Sequence, residues 1–148
     1  MDASEQYAVE TGDAVVAVLM RDGLVLVIER GPGVVMPGYW TPLSGRVRSR
    51  ETQRSAVTRE VREEVGLTAA PIAKVWECDM EGGSLRLHWW LASAEPGVMR
   101  LQRQEVAVAR WIRPEDFSTL EPTFAADRHF FARILPGLEA DGVMPSTP

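Results

Sequence analysis

GRVRSRETQRSAVTREVREEVGL, running from Gly45 to Leu67, is the stretch that decides how this chain is read. Between Glu51 and Val65 it holds no Gly or Pro, and Val57, Val61 and Val65 recur at i+4. One apolar stripe of that period predicts a helix, and Gly66 is placed to end it in a left-handed turn. The same helix carries Glu60 and Glu64 one turn apart with Glu63 between them in angle, so three carboxylates share one face beside the valines. Like charges that close repel, and they persist at neutral pH only where a cation compensates. Hard oxygen ligands at this density suit Mg²⁺ or Mn²⁺, and diphosphate oxygens sharing such an ion would lose charge and leave phosphorus more open to water. Arg59 adjoins the cluster and can brace a carboxylate through a bidentate contact, while Glu51 at the helix start can reach back as a partner one shell removed.

Upstream, Ala14 to Met20 and Leu24 to Ile28 are apolar, β-branched runs separated by Arg21-Asp22-Gly23, and they predict a hairpin buried on both faces. From Gly31 to Trp40 the Gly and Pro content predicts a surface loop, and Arg46 to Arg50 is also expected in a loop. Downstream, Ile72 to Asp79 and Leu85 to Ala92 alternate around Glu81-Gly82-Gly83 as a second hairpin, with Leu85, Leu87, Trp89 and Leu91 on one face and Arg86, His88 and Trp90 on the other. Val106 to Ile112 predicts a last strand, Pro114 to Phe117 a helical turn, and Phe124 to Leu135 a terminal helix stopped by Pro136-Gly137. Residues 137–148 are expected to form a loose tail. Strands interleaved with two helices predict an α/β (α+β) sandwich, a mixed sheet with a helix on each side.

The 148 residues suit a single domain with one core, and 45% apolar with 25% charged residues is an ordinary globular balance. A net charge of −5 argues against a nucleic-acid polymer as partner, because such proteins usually carry a basic surplus. A small phosphorylated ligand, held by local charges and metal, remains compatible. Cys78 has no cysteine to pair with, no apolar run is long enough to span a membrane, and the acidic start Met1-Asp2-Ala3-Ser4-Glu5 lacks a positive leader. A cytoplasmic location is expected. Trp89 is expected in the core and Trp90 is a candidate wall of a ligand site; His88 and His129 are read as structural.

Gly45, five residues, Glu51, seven residues, then Arg59-Glu60-Val61-Arg62-Glu63-Glu64-Val65-Gly66-Leu67 resembles the box of the Nudix hydrolases. Each fixed position matches by chance about one time in fifteen, so the full set is not a coincidence of a solvated charged helix. The two strands before the box, Trp40, and Arg110-Trp111-Ile112-Arg113-Pro114-Glu115 are also similar to the family pattern. The resemblance implies Glu60, Glu63 and Glu64 as metal ligands, joined by the backbone carbonyl of Ser44. It implies Glu105, six residues before Trp111, as a general base or further ligand, with Glu64 as the competing base. By resemblance to oxidised-purine nucleotide hydrolases of the family, Phe124 and Asp127 hold the base. Ser44 departs from the Pro-Gly-Gly usual before the box, and Arg46, Arg48 and Arg50 depart from an acidic residue and a Gly. If that segment is extended, these arginines face one way and can grip a phosphate.

Three functions follow from the resemblance. The chain hydrolyses a phosphoanhydride bond of a nucleoside triphosphate, or of a nucleoside diphosphate linked to a sugar or other group, including ADP-ribose, or it is a non-catalytic nucleotide-metabolite sensor. Gly82-Gly83-Ser84-Leu85 stands where subfamily markers for ADP-ribose or dinucleoside polyphosphates would fall, and carries neither. The expected partner is a small nucleotide derivative, taken up by a monomer or homodimer.

Overall fold

The structure, a computed structural model, describes residues 10–80 and 82–142. Strand β1 (Glu10–Arg21) and strand β2 (Leu24–Arg30) form the first hairpin. Arg21 pairs with Leu24, so Asp22-Gly23 is a two-residue turn with both residues at positive φ, which matches the twist of the flanking strands. Ala14 to Leu19 and Val25 to Ile28 are buried without a break, so the hairpin lies at the centre of the sheet.

β1 pairs in parallel with β6 (Arg86–Ala94) and antiparallel with β4 (Leu43–Arg48), while β2 pairs antiparallel with β3 (Trp40–Thr41) and β7 (Val106–Ile112). β5 (Ala69–Asp79) pairs antiparallel with β6 and forms one edge. The sheet is mixed, and the alternation of its strands assigns each residue to one of two helical layers. Val15, Ala17, Leu26, Ile28, Leu43 and Val47 face helix α1 (Gln53–Val65), whose Val57, Val61 and Val65 are fully buried against them. Val16, Val18, Val25, Val27, Trp89 and Leu91 face the other way, onto Phe117, Phe130, Phe131 and Leu135. The last three belong to the C-terminal helix α2, built from Ala125–His129, a π turn at Phe130–Ile134, and Leu135–Ala140. This is the expected sandwich.

Several expectations are corrected. α1 begins after Thr52, whose Oγ1 accepts the Ser55 amide at 3.1 Å, rather than at Glu51. Residues 43–48 are a strand, not a loop: Ser44 pairs with Val16 and Gly45 with Val15, and that long-range pairing overrides a local sequence poor in strand formers. The terminal helix does not stop at Pro136-Gly137 but continues to Ala140, so the tail is not loose from 137; residues 143–148 lie outside the described residues. The π turn just ahead admits the proline, because the Leu135 amide donates five residues back to Phe130 and widens the turn that Pro136 would otherwise crowd. Trp90 packs under α1, its Nε1 donating to Gln53 Oε1 at 2.9 Å with the Arg54 guanidinium 4.9 Å above its ring. It belongs to the core, as Trp89 does. Glu81 of the second hairpin turn lies outside the described residues.

Candidate active site

The box helix presents its charges through one arginine. Arg59 donates from Nε to Glu51 Oε2 at 2.7 Å and from Nη2 to Glu51 Oε1 at 2.9 Å, a bidentate clamp on a residue eight positions earlier. Its Nη1 reaches Glu60 at 2.6 Å and Glu63 at 3.2 Å, and Nη2 also donates to the Arg46 carbonyl at 2.9 Å. The hydrogen bond from Arg59 holds the Glu51 carboxyl below its ordinary range, and the same bond raises the Arg59 guanidinium. Glu51 further accepts the Arg48 amide at 3.1 Å, so the turn before α1 is locked to the helix.

Glu60 and Glu64 point inward and are buried, whereas the Glu63 side chain is half exposed beside Arg59 and Arg48. Burial pushes the Glu60 carboxyl up to about 7, against the pull of Arg59. Glu64 is raised well above its ordinary value, first by burial and then by the charges of Glu60 and Glu105. Glu105 is thus near enough for its charge to act on Glu64, while Glu64 Oε2 is buried with no partner. Gly45 explains how Glu60 fits: a Cβ there would meet the Glu60 carboxylate at 2.0–2.4 Å. The need at this position is room, since neither Ser44 nor Gly45 takes a positive φ.

Among the described residues no three acidic or histidine side chains converge closely enough to hold an ion as they stand. Arg59 draws Glu60 and Glu63 toward itself. The chemistry of the donors nevertheless fits a hard divalent cation: buried carboxylates, one with an orphaned oxygen, raised in pKa chiefly by burial. Glu60, Glu63, Glu64 and the Ser44 carbonyl are the groups that would hold it. Bound there, the ion would neutralise diphosphate oxygens and open phosphorus to water.

A second cluster lies at the start of α2. Asp127 is buried and accepts a 2.6 Å hydrogen bond from Thr41 Oγ1; burial pushes its carboxyl up to about 7 despite that bond. Phe124 stands against Tyr39 with ring centroids 4.7 Å apart, and the Arg30 guanidinium lies 5.9 Å from the Phe124 ring. Arg30 joins the two clusters: burial lowers its pKa, while the negative charges of Glu64, Asp127 and Glu105 act on it in the opposite direction.

Arg30, Tyr39 and Thr41 were not singled out from sequence. The available signal was a cation closing an otherwise buried strand, LVLVIER. Arg46 and Arg48 occupy alternate positions on β4 and are exposed, but Arg50 lies beyond the strand with φ 67°, so the three do not share one direction. His88 lies 2.8 Å from Asp13 and His129 packs on Trp76.

A family model described as the NUDIX domain matches residues 10–134. The chain is 29% identical over 106 residues to the CTP pyrophosphohydrolase of Escherichia coli, across 70% of this chain and 77% of that protein. It is 31% identical over 118 residues to the NAD-capped RNA hydrolase NudC of Deinococcus radiodurans, across 80% of this chain but 42% of that longer protein. The solution structure of the Escherichia coli ORF135 protein resembles it with a TM-score of 0.69 at 26% identity, covering 87% of this chain and 91% of the other. No helix among the described residues is long and apolar enough to cross a membrane.

Proposed function

Since this chain belongs to the Nudix hydrolase family, we propose that its pyrophosphohydrolase activity is directed at a nucleoside triphosphate, released as a nucleoside monophosphate and pyrophosphate. One arrangement carries the assignment: Arg30 feels both the Glu64–Glu105 carboxylates and Asp127, so a site for phosphates and metal adjoins an aromatic and acidic pocket suited to a base. The similarity to a CTP pyrophosphohydrolase supports the same substrate class. In this proposal Glu60, Glu63, Glu64 and the Ser44 carbonyl hold Mg²⁺ or Mn²⁺, Glu105 takes the proton from the attacking water, and Arg59 with Glu51 positions the carboxylates. Phe124 and Asp127 hold the base. A carboxylate fully engaged with metal is a poor base, which favours Glu105 over Glu64 for proton removal.

The second reading, a nucleoside diphosphate linked to another group, rests on the 31% identity to the NAD-capped RNA hydrolase. A turnover screen of nucleoside triphosphates and nucleoside diphosphate derivatives, ranked by kcat/KM with Mg²⁺ and with Mn²⁺, separates the two. A triphosphate is expected to lead; a diphosphate-linked sugar or dinucleotide at the head of the ranking would select the second reading. Binding without turnover would select a sensor.

Two predictions arise from the substrate-binding residues. Exposed arginines on β4 and in the turn after it can contact a phosphate as fixed cations, so alanine at Arg46, Arg48 or Arg50 should raise KM several-fold in at least one case. Unchanged KM in all three variants would free this segment of any substrate contact. Asp127 should discriminate between bases, and Asp127→Asn is expected to shift the ranking by about 10-fold, the worth of a hydrogen bond to a charged group. A ranking and KM identical to wild type would dismiss the base pocket.

The folded pKa of Asp127, about 7 against 3.8, also sets a stability effect. A raised pKa means that the contribution of this group is whole at low pH and is lost as pH rises through about 7. Asp127→Asn should therefore melt higher than wild type above that pH and close to it near pH 4, a difference that thermal melts across the range will read.

A further inference from the structure

Glu105 lies in the turn between β6 and β7, outside every regular element, yet its charge acts on the buried Glu64. Gln102 accounts for that placement. Its backbone amide donates to the Glu64 carbonyl at 2.9 Å, so the turn hangs from the very residue its carboxylate must meet. Its carbonyl accepts from the amides of Glu105 at 3.0 Å and Val106 at 2.8 Å. Its side-chain Oε1 folds back to accept the Gln104 amide at 2.8 Å and, more weakly, that of Glu105 at 3.3 Å.

The outer side of the same turn is clipped by the loop after β2. Gly31 donates to the Glu105 carbonyl at 2.8 Å and Gly33 to the Gln104 carbonyl at 2.7 Å. Both approaches are too close for a side chain: a Cβ at Gly31 would lie 2.6 Å from the Gln104 oxygen, and one at Gly33 would lie 2.9 Å from it. The amides and carbonyls of Gln104 and Glu105 are thus all engaged, which is unusual for so exposed a turn and leaves its backbone a single arrangement.

We infer that Gln102 is a positioning residue of the hydrolytic reaction: by accepting the amides of residues 104 and 105 it fixes the turn that aims the Glu105 carboxylate at Glu64. The inference rests on the role proposed for Glu105. It concerns the acceptor oxygen of Gln102 and not its bulk, since the side chain is exposed and fills no core space. Glutamate keeps an acceptor at that point; methionine keeps the length and removes it.

Five proteins test it: wild type, Gln102→Met, Gln102→Glu, Glu105→Gln, and the Gln102→Met/Glu105→Gln double variant that closes the cycle. Gln102→Met should lower kcat about 10-fold with KM within about twofold, the pattern of a loss realised in the transition state. Gln102→Glu should stay within about threefold of wild-type kcat, and Gln102→Met should cost nothing further once Glu105 is already Gln. Independently of turnover, amide hydrogen exchange at Gln104, whose bond is to the side-chain oxygen, should accelerate about 10-fold or more in Gln102→Met and not in Gln102→Glu.

Unchanged exchange in Gln102→Met, an equal kcat loss in both backgrounds, or a Gln102→Glu variant as poor as Gln102→Met would overturn the inference. An impaired Glu105→Gln beside an unimpaired Gln102→Met would overturn it alone. Wild-type kcat in Glu105→Gln would remove the role of Glu105 and the inference with it.

Discussion

Glu64→Gln is expected to lose activity by three orders of magnitude or more while the fold survives and the metal-free protein becomes more stable at neutral and alkaline pH. Opposite signs for activity and stability follow from one environment. The carboxylate is buried, one oxygen has no partner, and Glu60 and Glu105 add negative charge beside it. Its folded pKa is raised, so the stability it contributes at low pH is lost as pH rises through that value. Gln has the same shape and no charge to desolvate, and it relieves the repulsion. The catalytic cost arises because a neutral amide cannot offset a divalent charge; several kcal/mol of transition-state stabilisation go with it, on the order of 10³-fold or more in rate. Kinetics with Mg²⁺, paired with denaturant melts in chelator, read both signs. Undiminished turnover would exclude Glu64 from the metal site, and a marked loss of metal-free stability would mean that its charge is already compensated within the fold. Glu63→Gln should also lose activity but leave stability nearly unchanged, because its side chain is half exposed.

The next largest effect is expected at Glu105. Glu105→Gln should lower kcat by about 10- to 1000-fold with little change in KM, since a general base acts in the transition state and contributes roughly that much. Glu105 lies outside the helix that carries Glu60, Glu63 and Glu64, yet near enough for its charge to act on Glu64, which places a further carboxylate beside those proposed to hold metal. The acid side of the pH–rate profile, where the base must first shed its proton, should change shape as well. A variant that keeps wild-type kcat and the same acid limb would assign proton removal to Glu64.

The helix and the central hairpin were legible because their signals are local. Val57, Val61 and Val65 repeat every turn, and two apolar runs flank a two-residue turn sequence. β4 was not legible, because Leu43–Arg48 becomes a strand only by pairing with β1, thirty residues away in sequence. The site divides along the same line. Glu60, Glu63, Glu64 and Arg59 sit within five positions of each other, so helical geometry alone brings them together. Thr41 and Asp127 are 86 positions apart, and nothing local in either announces the bond between them. The constraint at Gly45, space for the Glu60 carboxylate, exists only once α1 is packed on the sheet. Gln102 is the extreme case, an exposed polar residue whose bonds to the amides of residues 104–106 appear only in the folded chain.

Metal-dependent attack of water on a phosphoanhydride can be read from the products themselves, by incubating the protein with a nucleoside triphosphate in heavy-oxygen water, with Mg²⁺ or with chelator, and weighing what forms. Nucleoside monophosphate and pyrophosphate are expected in the presence of metal, one of them carrying a single heavy oxygen, and no products in chelator. Equal product formation in chelator, or no cleavage of any nucleoside triphosphate or diphosphate derivative with either metal, would contradict it.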